Sequence, residues 1–225
     1  MNWIGQIAPL IAKEFKLELR NKFALGGVLL YVASTVYVVY YGMQLQHSVR
    51  ELPSGTWNML FWVVILFAAV NAIAKSFFQE SPARQFYLYT LADPRAIIAA
   101  KLVYNQVFML VLTFLAYLLF VVMLGDAVVN HLIFLMTLAL AATSFAYVFT
   151  LISSIAGKAN NNATLMAVLG FPLMIPIIVF MTRLSADSYS EFPSPLLWQS
   201  VVMLLALNLI LITLSLVLFP YIWRD

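Results

Sequence analysis

Six apolar stretches, each about as long as a bilayer is thick, constrain this chain more than any other feature. They fall at residues 23–41, 57–74, 97–124, 132–155, 164–182 and 196–221. A helix needs about 20 mostly apolar residues to cross the hydrocarbon core. Lipid offers no partners to backbone N–H and C=O groups, so each stretch is expected to be a helix. The fold class read from the sequence is all-α: a polytopic membrane protein with six transmembrane helices. At 64% hydrophobic and 9% charged, with mean hydropathy +0.97, the chain does not describe a soluble domain.

Lysine and arginine set the orientation. With the N-terminus inside, Lys13, Lys16, Arg20, Lys22, Lys75, Arg84, Arg95, Lys101, Lys158 and Arg224 lie on the cytoplasmic side, against only Arg50 and Arg183 outside. This asymmetry is the positive-inside signal, and it places both termini in the cytoplasm. The expected outer connections, 42–56, 125–131 and 183–195, are too short for an external domain. Because these basic residues flank apolar segments, the net charge of +3 reads as topology and not as a nucleic-acid surface.

Ahead of the first span, residues 2–22 carry Ile4, Ala8, Ile11, Phe15 and Leu19 along one helical stripe and Lys13, Lys16 and Arg20 along another. That pattern predicts an interfacial helix. This mixed-charge lead is unlike the short basic start of a cleaved signal, so the first span is expected to stay in the mature protein. Residues 79–101 form the one long basic interruption between spans. Ser81-Pro82 and Asp93-Pro94 each place a capping side chain before a proline at the first helical position. A short cytoplasmic helix is therefore expected over 82–91, with Ala83, Phe86, Tyr87, Thr90 and Leu91 on one face and Arg84, Gln85, Leu88 and Tyr89 towards the other. One face can rest on the membrane protein while the other meets a cytosolic partner.

Chemistry of the chain's own is hard to place. There are no cysteines, which excludes disulfides and thiol redox chemistry in this chain. The nine acids lie outside the apolar cores and show no metal-ligand spacing, so neither a metal site nor an enzyme active site is expected. Buried acids or bases that could carry an ion pathway are likewise not expected. Gly157-Lys158 is not a nucleotide loop, because Ile152 and Ala159 stand where the Walker A pattern needs Gly and Ser or Thr. Any ATPase must be a separate chain. His47 and His131, both expected outside, could contact an external haem, although polar residues at a membrane boundary are the plainer reading. Trp57, Trp62, Trp198, Tyr221 and Trp223 read as an interfacial belt.

Within the spans, Asn71, Asn105, Gln106, Thr143, Ser144, Ser153 and Asn208 are uncharged polar residues of the kind that join helices. Span five carries Pro172 and Pro176, which must bend or locally open the helix and make it a candidate hinge.

Together these features resemble an ABC-2-type permease. More narrowly, Gln79-Glu80 before a short helix, Asp93-Pro94 and Lys101 opening span three, and the run from Pro172-Leu173-Met174-Ile175-Pro176 to Phe180 resemble the CcmB family, the haem-exporter permease of cytochrome c maturation. The resemblance implies one transmembrane domain over 1–225 in a bacterial inner membrane, paired with a second copy. It also implies a CcmA-like ATPase that binds ATP, and CcmC-, CcmD- and CcmE-like partners. Haem is the implied substrate, and no cofactor is held by this chain. The ATPase-coupling residues would be Glu80, Pro82, Arg84, Gln85, Leu88 and Tyr89, although the sequence 81–88 departs from the Leu-Glu-Gln-Leu-like helix of many relatives. The tryptophan-rich haem motif of CcmC is missing. The implied function is to couple ATP hydrolysis to haem export or to release of the haem-loaded chaperone. The rival readings are an ABC-2 exporter for another amphiphile and a membrane scaffold without transport.

Overall fold

Each apolar stretch is a helix in the computed structural model, which describes residues 3–20, 22–45, 53–73, 92–157 and 162–224. The elements are α1 (Trp3–Arg20), α2 (Lys22–Leu45), α3 (Ser54–Ile73), α4 (Pro94–Leu124), α5 (His131–Ala156), α6 (Asn162–Ala186), a 3-10 turn (Asp187–Tyr189) and α7 (Leu197–Arg224). Among the described residues there are no strands, and six helices are long and apolar enough to cross a membrane.

Of the two start signals read in the sequence, Asp93-Pro94 operates as expected, and Ser81-Pro82 lies outside the described residues. Asp93 caps α4 by accepting a hydrogen bond from the Arg95 amide at 2.8 Å, with Pro94 at the first helical position. Asn130 caps α5 through the Ile133 amide at 3.2 Å. Between them Gly125 takes φ +83°, a conformation most side chains resist, and stops α4. One boundary differs from the sequence reading. Arg183 sits in the last turn of α6 and not in a loop, and the following turn offers the Ser188 carbonyl to the amides of Val129 (3.0 Å) and Asn130 (2.8 Å). The two outer connections are thus tied together, a pairing that local signals do not encode.

The bundle is organised on α5, which packs against α3, α4, α6 and α7. Of its spanning window 67% is buried, against 17% for α2, so α5 is the hub and α2 the outlying span. Helix α2 rests on the others through Val28, Val32 and Val36, one residue per turn. Leu30, Tyr37, Val38 and Tyr41 are left exposed. Gly170 of α6 is buried, and a Cβ there would lie 3.4 Å from the Ile152 side chain, so it permits the close approach of α6 to α5.

Trp57 and Trp62 do not belong to an interfacial belt. They are 0% and 3% exposed, and Trp57 has Phe61, Tyr117, Phe120, Phe134 and Tyr189 around it at ring-centroid distances of 5.2–6.4 Å. Its indole N–H donates to the Gly125 carbonyl at 3.1 Å. Membrane-boundary tryptophans and core tryptophans share a sequence signature, and only packing separates them. Trp198 and Tyr221, 69% and 71% exposed, fit the belt.

Candidate functional site

Helix α4 has 31 residues and is about 46 Å long, well beyond the roughly 30 Å of hydrocarbon it must cross. It stops at Gly125, and at its opposite end Asp93, Lys101 and Tyr104 follow one another. Against this base runs α1. The Asp93 amide donates to the Gln6 Oε1 at 2.9 Å, Leu10 packs on the core, Lys101 Nζ lies 3.6 Å from Glu14 Oε1, and the Tyr104 hydroxyl hydrogen-bonds Glu18. Gln6, Leu10, Glu14 and Glu18 are four residues apart and form one edge of α1. Their partners ascend α4 in the same order, so the two helices lie side by side over three turns. Phe15 adds an edge-on ring contact to Tyr104 at 5.0 Å.

This contact refines one expectation and revises another. Helix α1 was read as an interfacial helix with no face assigned to the bundle; the edge carrying both glutamates faces it, and Ile4 is 64% exposed. No buried base was expected, but Lys101 is 1% exposed. A lone lysine is tolerated there only beside an opposite charge, which Glu14 supplies, while Lys13 approaches the same carboxylate at 3.3 Å. Glu18 completes the cluster. Burial pushes its carboxyl above the usual carboxylate range, the Tyr104 hydrogen bond pulls it back, and the Glu14 charge raises it further.

Just above the clamp, α4 is stitched to the hub. Asn105 Nδ2 donates to Thr150 Oγ1 at 2.8 Å, Gln106 Nε2 donates to Thr143 Oγ1 at 3.2 Å, and the Tyr147 hydroxyl donates to Gln106 Oε1 at 3.0 Å. Three of the polar residues expected to join helices therefore do so. Asn71 bonds its own helix at the Phe67 carbonyl, and Asn208 has no partner among the described residues. Asn58, which the sequence did not single out, accepts from Ser185 Oγ at 2.7 Å across 127 positions, a separation that helix periodicity cannot reveal.

The remaining candidates are dispersed. Glu80, Pro82, Arg84, Gln85, Leu88, Tyr89 and His47 lie outside the described residues. His131 opens α5, its Nδ1 3.1 Å from the Tyr117 hydroxyl and its Nε2 3.7 Å from Asp126 Oδ2, with its side chain 56% exposed. Pro172 and Pro176 lie within α6, which continues through both of them. Each proline lacks the N–H that would bond four residues back, so the Val168 and Pro172 carbonyls lose their usual helical donors. No group of three or more metal-ligating side chains occurs among the described residues.

A family model described as CcmB protein matches residues 6–222. The chain belongs to the CcmB family. No curated protein and no solved structure matches it. The CcmB match begins at Gln6, the first α1 residue of the clamp, and ends in α7, so it takes in the clamp, the stitched α4–α5 pair and all six spans. A CcmB protein is a permease component of an ABC system in cytochrome c maturation, with an ATPase as partner. As a permease subunit this multi-pass membrane protein is not itself an enzyme.

Proposed function

We propose that this CcmB protein transmits the work of a CcmA-like ATPase through the base of α4, with Glu80, Pro82, Arg84, Gln85, Leu88 and Tyr89 as the docking contacts. The observation that carries the reading is the clamp of α1 on α4. Residues 82–91 lead in sequence directly into Asp93, the α4 cap that is bonded to Gln6, and Lys101 is held to Glu14 two turns further on. A push delivered just before Asp93 thus meets two helices joined as one, and packed helices move as rigid bodies. Pro172 and Pro176 give α6 the hinge on which the bundle yields. Two copies pair, with the exposed face of the outlying α2 as the available surface, and CcmC-, CcmD- and CcmE-like proteins join them in a bacterial inner membrane with both termini cytoplasmic.

Of the two uses of ATP, this reading takes release of the haem-loaded chaperone. The open groove between α2 and α4, about 410 Å³, is lined by residues such as Ala33, Ser34, Tyr37, Leu119 and Met123, and no basic side chain is among them. Haem propionates would have no cation to meet there. Export of haem through another route, export of a different amphiphile, and a scaffold without transport are the competing outcomes.

Coexpression with the ATPases of its own genome, followed by mild solubilisation, tests the proposal. The expected result is copurification of a CcmA-like ATPase with CcmC- and CcmE-like proteins, and loss of cytochrome c assembly in Leu88→Asp through a charge buried at the ATPase contact. Full assembly in that variant would sink the coupling role. Accumulation of haem-loaded chaperone in the membrane supports release, and depletion of haem from the outer side supports export.

A further inference from the structure

Asn208 stands apart from every other amide side chain described in the spans. It lies on α7, 5% exposed, and neither its nitrogen nor its oxygen has a hydrogen-bond partner among the described residues. Eleven residues beyond Leu197, it is about 17 Å into the membrane, near mid-depth. Ser144 of α5, thirteen residues beyond His131, lies at a similar depth on the helix against which α7 packs.

Several buried hydroxyls of α5 and α7 are turned to their own backbones. The buried edge of α7 reads Ser200, Leu204, Asn208, Leu211, Ser215 and Phe219. Ser215 donates to the Leu211 carbonyl at 2.7 Å, Ser144 to Leu140 at 2.9 Å and Thr137 to Ile133 at 2.8 Å. Each hydroxyl has committed its single proton to its own helix. By contrast, Asn105 and Gln106 have cross-helix partners. An amide left unpaired at this depth disfavours the arrangement that contains it and favours any arrangement that hydrates or pairs it.

We propose that the packed face of α7 around Asn208 is the part of the bundle that parts during the working cycle, admitting water to Asn208 in the ATP-driven state. The amide biases the equilibrium towards opening. This inference rests on the ATP-coupled permease reading above.

The chain has no cysteine, so Asn208→Cys introduces a single thiol. Membranes carrying the variant with its ATPase are treated with the charged reagent methanethiosulfonate ethyltrimethylammonium, which attacks thiolates in water. Labelling is expected to be about tenfold faster with ATP and vanadate than without nucleotide. Leu209→Cys, at a position 66% exposed towards lipid, should stay unreactive in both conditions. Equal labelling at position 208 in the two conditions overturns the proposal: slow in both means a face that stays packed, and fast in both means a fixed hydrated site. Asn208→Leu, of similar volume, provides an independent readout. It should raise the thermal midpoint in detergent and lower cytochrome c assembly, and a fully active variant overturns the proposal. The same preparation is scored for bound ATPase. If none is bound, the coupling reading and this one fall together; nucleotide-independent labelling with the ATPase present removes only the opening at Asn208.

Discussion

At its outer end α4 is held by rings, with Tyr117 and Phe120 packed on Trp57 among Phe61 and Phe134, whereas at its inner end it is held by charge and amides through Lys101–Glu14, Asp93–Gln6 and Asn105–Thr150. The outer contacts are short-ranged, dry and indifferent to pH, and they resist sliding because ring packing tolerates little displacement. The inner contacts lie where the helix leaves the hydrocarbon and can be re-made with small motions. The same helix is therefore held by different chemistry at its two ends, which is what the proposed lever would use.

The comparison breaks most readily at Trp57. Trp57→Ala removes a fully buried indole and its bond to Gly125, and should cost about 4 kcal/mol, read as a large fall in thermal midpoint of the purified protein. A loss under about 1 kcal/mol would show that the ring cluster does not anchor the outer end. At the inner end Lys101→Met leaves Glu14 with Lys13 still beside it, so the loss should stay below the roughly 3–5 kcal/mol typical of a stranded buried charge. Adding Glu14→Gln should recover much of that loss, and a double-mutant cycle measures the coupling. Additive effects of the two changes would mean that the pair does not clamp α1 to α4.

Asn105→Leu should cost about 1 kcal/mol by leaving Thr150 without its cross-helix donor, while Thr150→Val in the same background should add little. A full additional loss would place the stitch elsewhere. Glu18 sharpens the contrast through pH. Its carboxyl is raised in the folded chain, chiefly by burial, so the folded state keeps the proton to higher pH than the unfolded one. Ionised Glu18 therefore weakens the fold, and stability should fall as pH rises through the upper carboxylate range. Glu18→Gln should match wild type at low pH and exceed it above that range by a few tenths of a kcal/mol once solvent screening is allowed for. The smallest effect is expected at His131. Because its side chain is 56% exposed, His131→Ala should change stability by less than about 0.5 kcal/mol. A marked drop in cytochrome c assembly at unchanged stability would make it a haem contact.

How much was legible beforehand varies by kind of contact. The Asp93-Pro94 start of α4 was readable because capping is a matter of neighbouring residues, and Asn105 and Gln106 were readable as polar groups that lipid would force to find partners. Which partners they find was not readable, and the same uncertainty misassigned Trp57 and Trp62, whose composition suits a belt or a core equally well. Asn208 was grouped with the residues that join helices and proved to be the one left unpaired.

By itself the sequence determined the six spans, the positive-inside orientation signal, the capped start of α4 and the exclusion of thiol chemistry, because hydropathy, caps and residue counts act locally or by tally. Only the tertiary structure decided that α1 turns its glutamate edge to α4, that Lys101 is buried against Glu14 and that Trp57 sits inside a box of rings. Those contacts join residues 87, 68 and 132 positions apart, and the side chain each group meets depends on how whole helices pack, which no local pattern records.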